Sequence, residues 1–422
     1  MAAKTVLAAV AVLAAVTAAV KAAAVTTTES DVVVVDDPEA LDAVDDVVAV
    51  DDDDAAMAMF GRPLERWRPP LGEPECRMHR LGHLNSVLGV TADSPVQRPL
   101  LELDLALARA SGQGCSVLDG AAAKLVMPRV KLRLYYGLGE NDNVAAPVGS
   151  ASSLVSDPHF NRNRCLAVYA FGYTSFPNNI YTRDAITALV QANQYNVLLV
   201  DWSAATNFSY ELSVDLIDHV ASAVAQDLKG MLDDGASLCF VSGHSLGGQM
   251  TGYISRHLKA LGDTVPCVIA LDPAAPLFEG KYYGCAQRLA RGDADRVIVL
   301  HSDICGLGSL ISQGDADFYP NSGYHGQPGC PGDHYDRLGT PIGSCSHVRA
   351  VSIFAAAVRN GMAFPARRCD SWEDFNEGFC DDDGDGDSPV LFFPQCSQRI
   401  SGSFFMNTTG SVPLQSTNPP AG

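Results

Sequence analysis

The sequence predicts an α/β fold in which helices flank a mostly parallel central sheet. Short apolar runs, which indicate buried strands, alternate with apolar residues at the three- and four-residue spacing of helices. Residues 238–241 and 266–271 are two such strands, and residues 249–261 between them are predicted to form a helix. Candidate functional residues follow each strand, at the sheet edge where ligands bind in open α/β sheets.

The first of these strands leads directly into the hexapeptide GHSLGG, residues 243–248. A glycine two positions before and two positions after a serine is what a nucleophile elbow requires, because the tight strand-to-helix turn leaves little room for side chains. We therefore predict that Ser245 is a nucleophile standing above the sheet edge. The backbone N–H of Leu246 would then face a developing oxyanion. The alternative is a glycine-rich loop with an ordinary serine.

A serine nucleophile needs a base, and the base needs an acid that orients it. With this elbow, the expected chain order is serine, then an acid, then histidine. Asp272 ends the strand 266–271 and is the predicted acid; its alternative role is to cap a helix or a turn. His347 opens a later helical stretch and is the predicted base.

Three other histidines compete for the role of base. His301 lies at the exit of the apolar strand 296–300 and is predicted to be structural. His325 and His334 lie in loops rich in glycine and proline, where the sequence shows no positioned neighbour. His347 remains the best candidate.

Several motifs, taken together, resemble the animal pancreatic-lipase family, and most closely its arthropod secreted branch. They are, in chain order, VLLVDWS, GHSLGG, ALDPAAPLF, DFYPNSG, QPGC and CSHVRA. The resemblance covers about residues 122–415. It implies an α/β-hydrolase fold in which Ser245, Asp272 and His347 are the nucleophile, the acid and the base of ester hydrolysis, a reaction for which no cofactor is expected.

The resemblance also places the oxyanion hole. Residues 170–174, AFGYT, match the loop that carries the second donor, so Tyr173 and Leu246 would supply the two backbone N–H groups. Phe171 stands where the family usually has a histidine that helps to hold this loop. Because the donors are backbone groups, this departure need not abolish the hole.

Two segments raise the question of a metal ion. Some members of the family carry a structural calcium, and residues 288–293, RLARGD, match that segment. Ala290 replaces one expected carboxylate there, so no metal is predicted. Residues 380–387 are rich in Asp but lack the ligand spacing and the closing Glu of an EF-hand, which favours an acidic loop.

The resemblance implies a lid closed by a disulfide between Cys330 and Cys345. The enclosed residues 331–344 are few and mostly polar, whereas a lid that meets a fat droplet needs an amphipathic helix. The loop 304–316 is also shorter than in the triglyceride-specific relatives. These features favour polar lipids or mixed substrates, presented at a membrane, micelle or lipoprotein surface. The alternative is a lid with no influence on substrate choice.

The amino-terminal part of the chain indicates export. Residues 1–24 have the charged start and apolar run of a secretory signal peptide. Residues 25–59 are dominated by Asp, Val and Ala and are predicted to be an acidic, disordered pro-segment. The net charge of −20 makes nucleic acid an unsuitable partner.

One catalytic domain is expected over residues 60–422. The 75 residues after His347 are too few for the β-sandwich domain of the larger relatives. After the signal peptide, no segment approaches the length needed to span a membrane. Asn207 and Asn407 begin sequons for N-glycosylation. The sequence says nothing about the oligomeric state.

Twelve cysteines behind a signal peptide indicate disulfides. A Cys285–Cys305 bond would link the segments that flank the strand 296–300. Cys239 and Cys267 lie in predicted core strands and are expected to be free buried thiols. At least one bridge is expected among Cys369, Cys380 and Cys396. The sequence offers no pairing for Cys76, Cys115 and Cys165.

Two functions of different class follow from these observations. The first is a secreted lipid-ester hydrolase of the phospholipase A1 type or one acting on acylglycerols. The second is an inactive or weakly active relative, such as a yolk-type protein, that binds or stores lipid. Retention of Ser245, Asp272 and His347 favours the enzyme, and Phe171 is the feature that favours the storage protein. A carboxylesterase for small soluble esters is a weaker third option.

Overall fold

The computed structural model describes residues 122–279, 287–335, 341–361, 364–380, 390–392, 396 and 400–410. All of them belong to one unit of the chain, Trp67–Gly422. The predicted signal peptide and acidic pro-segment lie outside the described residues. So do Cys76, Cys115, Cys285 and most of the acidic run 380–387.

The described part of the chain is built on one large sheet and one small one. Its strands are β1 Lys131–Tyr135, β2 Asn143–Pro147, β3 Cys165–Ala170, β4 Tyr195–Asp201, β5 Leu238–His244, β6 Val268–Leu271, β7 Val297–Leu300, β8 Ala316–Pro320, β9 His334–Tyr335, β10 Pro341–Ile342, β11 Pro365–Arg368, β12 Val390–Leu391 and β13 Gly402–Met406. Eleven of them form the large sheet, in the order β12-β11-β13-β8-β7-β6-β5-β3-β4-β1-β2, and β9 pairs with β10.

The centre of the large sheet is parallel, as predicted. Every pairing from β13 through β8, β7, β6, β5 and β3 to β4 is parallel. The pairings of β1, β2, β11 and β12 at the two edges are antiparallel. All residues of β6 and β7 are buried, which explains why these strands are continuous apolar runs rather than alternating ones.

Helices cover both faces of this sheet. They are α1 Ile180–Ala192, α2 Ser203–Thr206, α3 Tyr210–Asp215, α4 Ile217–Asp233, α5 Leu246–Ala260, α6 Cys345–Arg359 and α7 Trp372–Glu377. α5 and α6 both pack on β5 and β6, α4 packs on α5, and α1 packs on α6. Every residue of β6 and β7 is buried, although successive side chains point to opposite faces, so both faces are covered. The fold is the predicted α/β-hydrolase arrangement.

The sequence was wrong about two cysteines. Cys239 and Cys267 are not free thiols, because Cys239 is bonded to Cys165 and Cys267 to Cys396. Cys165 opens β3 and Cys239 lies near the start of the neighbouring strand β5, which brings their Cα atoms to 5.5 Å. The bonds join residues 74 and 129 positions apart in the chain, so only the tertiary structure reveals them.

Two other disulfides agree with the expectations. Cys330 is bonded to Cys345, and Cys369 to Cys380. Cys305 is also disulfide-bonded, whereas Cys285, its expected partner, lies outside the described residues. Among the helices that the structure describes, none is long and apolar enough to cross a bilayer.

Candidate active site

Ser245 lies at the sharp turn between β5 and α5. Its backbone is in a strained conformation, with φ 58° and ψ −122°, and α5 begins at the next residue. A side chain at Gly243 would collide with the carbonyl of Gly247, and one at Gly247 would collide with the carbonyl of Ala170. Glycine at 243 lets the turn close, and glycine at 247 lets the start of α5 lie against the end of β3. The helix starts three residues earlier than predicted because it begins directly at this elbow.

Asp272 and His347 meet beside this turn, although 75 positions separate them in the chain. Asp272 directly follows β6, and His347 lies in the first turn of α6. The Nδ1 atom of His347 is 2.6 Å from Oδ2 of Asp272, and the other carboxylate oxygen accepts hydrogen bonds from the backbone N–H groups of Ser302 at 2.8 Å and Asp303 at 3.0 Å. Both side chains are buried. The carboxylate is thus held on both sides and fixes the ring.

A cavity of about 250 Å³ lies beside the elbow. Ser245, His347 and Tyr173 all contribute to its lining. One part of the wall is aromatic or apolar, with Phe171, Tyr210 and Leu307. Another part carries hydroxyl groups, those of Thr174, Ser175 and Thr182. The cavity therefore places both apolar and polar side chains around an ester bound next to Ser245.

The electrostatics of the site suit a histidine base. Burial opposes a charge on His347, but the hydrogen bond and the negative charge of Asp272 outweigh it, so the pKa of His347 is raised. Burial and the nearby charge of His347 lower the pKa of His244 well below its usual value, which keeps His244 neutral. The Nε2–H of His244 donates to the backbone carbonyl of His347 at 2.9 Å. This bond helps to hold the first turn of α6 against the elbow.

A second buried carboxylate–histidine pair, which no sequence motif indicated, lies beside the first. His325 has a positioned neighbour after all, because its Nδ1 is 2.6 Å from Oδ1 of Asp303. The expectation that His325 has no positioned neighbour was therefore wrong. Oδ2 of Asp303 lies 4.0 Å from Nδ1 of His347. Burial, and then the charge of Asp272, raise the pKa of Asp303 to about 6 against the opposing hydrogen bond from His325.

His301 has the structural surroundings that the sequence predicted. Its Nε2 is 2.8 Å from Asp317, its Nδ1 is 3.1 Å from the carbonyl of Ser309, and its ring stacks on Tyr319. His334 is exposed, and its Nδ1 lies 3.0 Å from the carbonyl of Gly332. Neither histidine is among the described residues that line the cavity.

The loop after β3 lies directly against the elbow. A Cβ atom at Gly172 would stand 2.8 Å from the Cβ of Ser245 and 3.2 Å from the carbonyl oxygen of His244, so the loop leaves no room for a side chain between itself and the elbow. Tyr173 lines the cavity, as a residue of an oxyanion hole must. Phe171 is almost completely buried and offers no hydrogen bond from its side chain. The position of the loop is consequently set by other groups.

Within the segment between Cys330 and Cys345, the short strands β9 and β10 pair with each other antiparallel. Its base is fixed by the disulfide and by Asp333, whose carboxylate accepts hydrogen bonds from the backbone N–H groups of Cys345 at 3.2 Å and Ser346 at 2.5 Å. Asp333 thereby satisfies N–H groups at the start of α6, the helix that carries His347.

The segment 288–293 does not suit a calcium ion. The carboxylate of Asp293 accepts a hydrogen bond from Arg256 at 2.6 Å and from the backbone N–H of Ala290 at 3.0 Å. A guanidinium group thus stands beside the one carboxylate that a cation would need, and Ala290 has no side-chain oxygen. Arg256 joins α5 to this segment by an ion pair instead.

Comparisons with known proteins agree with this geometry. A family model described as Lipase matches residues 119–413. Lipase member H from Mus musculus is 32% identical over 255 residues, which is 60% of this chain and 53% of that protein. Pancreatic triacylglycerol lipase from Cavia porcellus is 27% identical over 302 residues, 66% of this chain and 64% of that protein. The chain thus spans about half the length of the first of these relatives.

Among solved structures, carboxyl esterase 2 from Tuber melanosporum matches with a TM-score of 0.24 and 18% identity, covering 35% of this chain and 46% of that one. A likeness of this size adds nothing to the fold derived above from the order of the strands.

Proposed function

This chain belongs to the lipase family, and on that premise we propose that it is a serine hydrolase of lipid esters, working through an acyl-enzyme on Ser245. The observation that carries the proposal is the strained serine at the elbow in one cavity with a histidine that a buried carboxylate orients. Asp272 is the proposed acid and His347 the proposed base.

The chemistry follows from the ring nitrogens of His347. Nδ1 is hydrogen-bonded to Asp272, which leaves Nε2 to take the hydroxyl proton of Ser245 as the serine Oγ attacks the ester carbonyl. The backbone N–H groups of Tyr173 and Leu246 receive the oxyanion, a donor of this kind being worth about 3–4 kcal/mol. His347 then returns the proton to the leaving alcohol, and water releases the fatty acid in a second cycle.

The substrate class we propose is phospholipids, acylglycerols or both, with a preference for polar lipids of the phospholipase A1 kind. Two features support this preference. The segment closed by Cys330 and Cys345 starts and ends as a short hairpin rather than an amphipathic helix. The cavity is lined by Thr174, Ser175 and Thr182, whose hydroxyl oxygens can accept a hydrogen bond from a polar headgroup or a glycerol backbone while Thr174 donates to the carbonyl of Tyr173 at 2.7 Å and Ser175 and Thr182 bond to each other at 3.0 Å.

We also propose that the protein is secreted. Four disulfides within the described residues, together with the bonded Cys305, suit an oxidising compartment. Asn207 is exposed and Asn407 is half-buried, and both are proposed glycan acceptors. A loss of mass after treatment of the secreted protein with an N-glycosidase tests the two sequons, with N207Q and N407Q as controls.

The decisive experiment is hydrolysis of labelled phosphatidylcholine and triolein by the secreted protein beside S245A. Release of an sn-1 acyl chain by the wild type alone supports the phospholipase A1 assignment. Serine-dependent hydrolysis of triolein alone retains the nucleophile and overturns the proposed preference. If neither lipid nor a short ester is hydrolysed in a serine-dependent way, the second candidate, a lipid-binding or storage protein, becomes the better description; Phe171 in the loop after β3 is the feature that favours it.

A further inference from the structure

The loop that carries Tyr173 is held from outside. We call residues 171–175 the oxyanion loop and residues 202–208, which directly follow β4, the β4-exit segment. Phe171 cannot hydrogen-bond through its side chain, and Gly172 has none. The β4-exit segment makes hydrogen bonds to the oxyanion loop at its two ends and at its centre, and the hydroxyl of Ser175 is also hydrogen-bonded to that of Thr182 in α1 at 3.0 Å.

Three contacts join the two segments. The indole Nε1–H of Trp202 donates to the backbone carbonyl of Phe171 at 3.0 Å. The hydroxyl of Tyr173 donates to the carbonyl of Phe208 at 2.8 Å, and that of Thr206 donates to the carbonyl of Ser175 at 3.4 Å. Trp202 is completely buried, and its ring stacks on Phe171 with the centroids 6.4 Å apart.

The bond from Trp202 acts at the most sensitive point of the loop. It fixes the peptide group between Phe171 and Gly172, one residue before the N–H of Tyr173. Glycine permits backbone conformations that other residues avoid, so this peptide group would be free to rotate if its carbonyl lost the donor. A rotation here would change the direction of the Tyr173 N–H.

The loop also needs an outside constraint because it is strained. Thr174, the residue after Tyr173, has φ 58°, in the left-handed region that β-branched residues rarely adopt. Such a conformation persists only where the surroundings impose it. The contacts of Trp202, Thr206 and Phe208 on both sides of Thr174 supply that constraint.

We propose that Trp202 is a positioning residue: its indole N–H directs the backbone N–H of Tyr173 into the oxyanion hole, a task that the side chain of Phe171 cannot perform. The proposal rests on the proposed function, since it assigns Trp202 to the same site. It concerns the reaction rather than folding alone, because the loop that Trp202 fixes touches Ser245.

The test uses W202F, which keeps a buried aromatic ring and removes the donor. The matched control is W372F, because Trp372 packs on Phe375 and Phe405 in a separate cluster. With a soluble short-chain ester, and with competent sites counted by a phosphonate, we expect kcat of W202F to fall by about 10- to 100-fold while KM stays within about threefold. W372F should keep both values.

Two further measurements separate positioning from loss of fold. A trifluoromethyl ketone forms an oxyanion on Ser245, so its affinity should fall in W202F by the same factor as kcat/KM. Amide hydrogen exchange over residues 171–175 should become faster in W202F and remain unchanged in W372F. Exchange in β5 and α5 should be equal in all three proteins.

Unchanged kcat and unchanged exchange in W202F would overturn the proposal. Equal losses of activity in W202F and W372F would also overturn it, since they would show general destabilisation. If the wild type has no turnover that depends on Ser245, the proposed function fails, and the exchange measurement still decides whether Trp202 holds the loop.

Discussion

Two carboxylate–histidine pairs lie side by side at the carboxyl ends of the strands, and they differ in where the histidine stands. Both Asp272–His347 and Asp303–His325 are buried, with the same 2.6 Å between Nδ1 and a carboxylate oxygen. His347 lines the cavity with Ser245, whereas His325 is not among the described residues that line it. The pairing chemistry is therefore shared, and contact with the cavity distinguishes the two.

The two carboxylates are also supported differently. Oδ1 of Asp272 accepts hydrogen bonds from two backbone N–H groups, those of Ser302 and Asp303, so this oxygen stays satisfied whether or not His347 is present. Oδ1 of Asp303 has His325 as its donor, and Oδ2 accepts the N–H of Leu307 at 2.8 Å. We infer that His347, held by Asp272, acts on Ser245, whereas His325 keeps the buried carboxylate of Asp303 in place.

The largest expected effect separates the two histidines. H347Q should lower kcat by roughly 10⁵- to 10⁶-fold, because the serine loses its base. H325Q should lower kcat far less than H347Q, yet it should lower the free energy of unfolding more than H347Q does, by about 3–5 kcal/mol, because Oδ1 of the buried Asp303 loses its imidazole donor. Ester hydrolysis and urea unfolding of both variants measure this. Similar kcat losses in both would erase the distinction.

The two carboxylates should differ next. D272N is expected to lower kcat by about 10⁴-fold, because an amide no longer holds the imidazole in the required tautomer or stabilises its charge. D303N should lower it much less, since an amide oxygen can still accept from His325. Steady-state rates on one ester, normalised by active-site titration, compare them. If D303N were as inactive as D272N, both carboxylates would serve His347.

A smaller effect is expected in the pH profile. The pKa of His347 is raised, so the acid limb of kcat/KM should have its midpoint above about 6.5. The fold favours the charged ring, so the stability that His347 contributes is present below the unfolded pKa of about 6.5 and is lost as the pH rises through the higher folded pKa. Activity and this contribution should change in opposite directions.

Asp303 should also make the free energy of unfolding depend on pH. Its pKa is raised to about 6 in the fold, so the folded state binds a proton that the unfolded state has already released. Stability should fall as the pH rises from about 4 to 6, and this slope should be absent in D303N. Urea unfolding and kcat/KM over the same pH range supply both curves. If the acid limb of kcat/KM had its midpoint at or below about pH 6.5, Asp272 would not be raising the pKa of His347.

The smallest effect is expected for a pair remote from the cavity. R256Q removes the ion pair with Asp293, which is partly exposed, and should lower the free energy of unfolding by about 1 kcal/mol with kcat unchanged. R359Q, which breaks the more exposed pair with Asp184, is the matched control and should have a smaller effect. A chelator should leave Tm unchanged, and a fall in Tm with chelator would show that a metal ion holds segment 288–293 after all.

The elbow, and the residues Asp272 and His347 that we propose act with its serine, can be recognised in the sequence because of their place relative to the strands. The turn itself demands Gly243, because a Cβ there would collide with the carbonyl of Gly247, whereas Gly247 is demanded by the close approach of Ala170 at the end of β3. Asp272 and His347 follow from chain order relative to that turn. The disulfide between Cys330 and Cys345 closes a loop of modest length within a recognisable motif.

Only the tertiary structure decided the contacts between segments far apart in the chain. The bond of Cys165 to Cys239 depends on β3 and β5 being neighbours, although β4 lies between them in the sequence. The contact of His325 with Asp303, and that of Trp202 with Phe171, likewise join loops that leave different strands. No periodicity or spacing records such contacts, because the order of strands in a sheet is set by packing of the whole core rather than by local sequence.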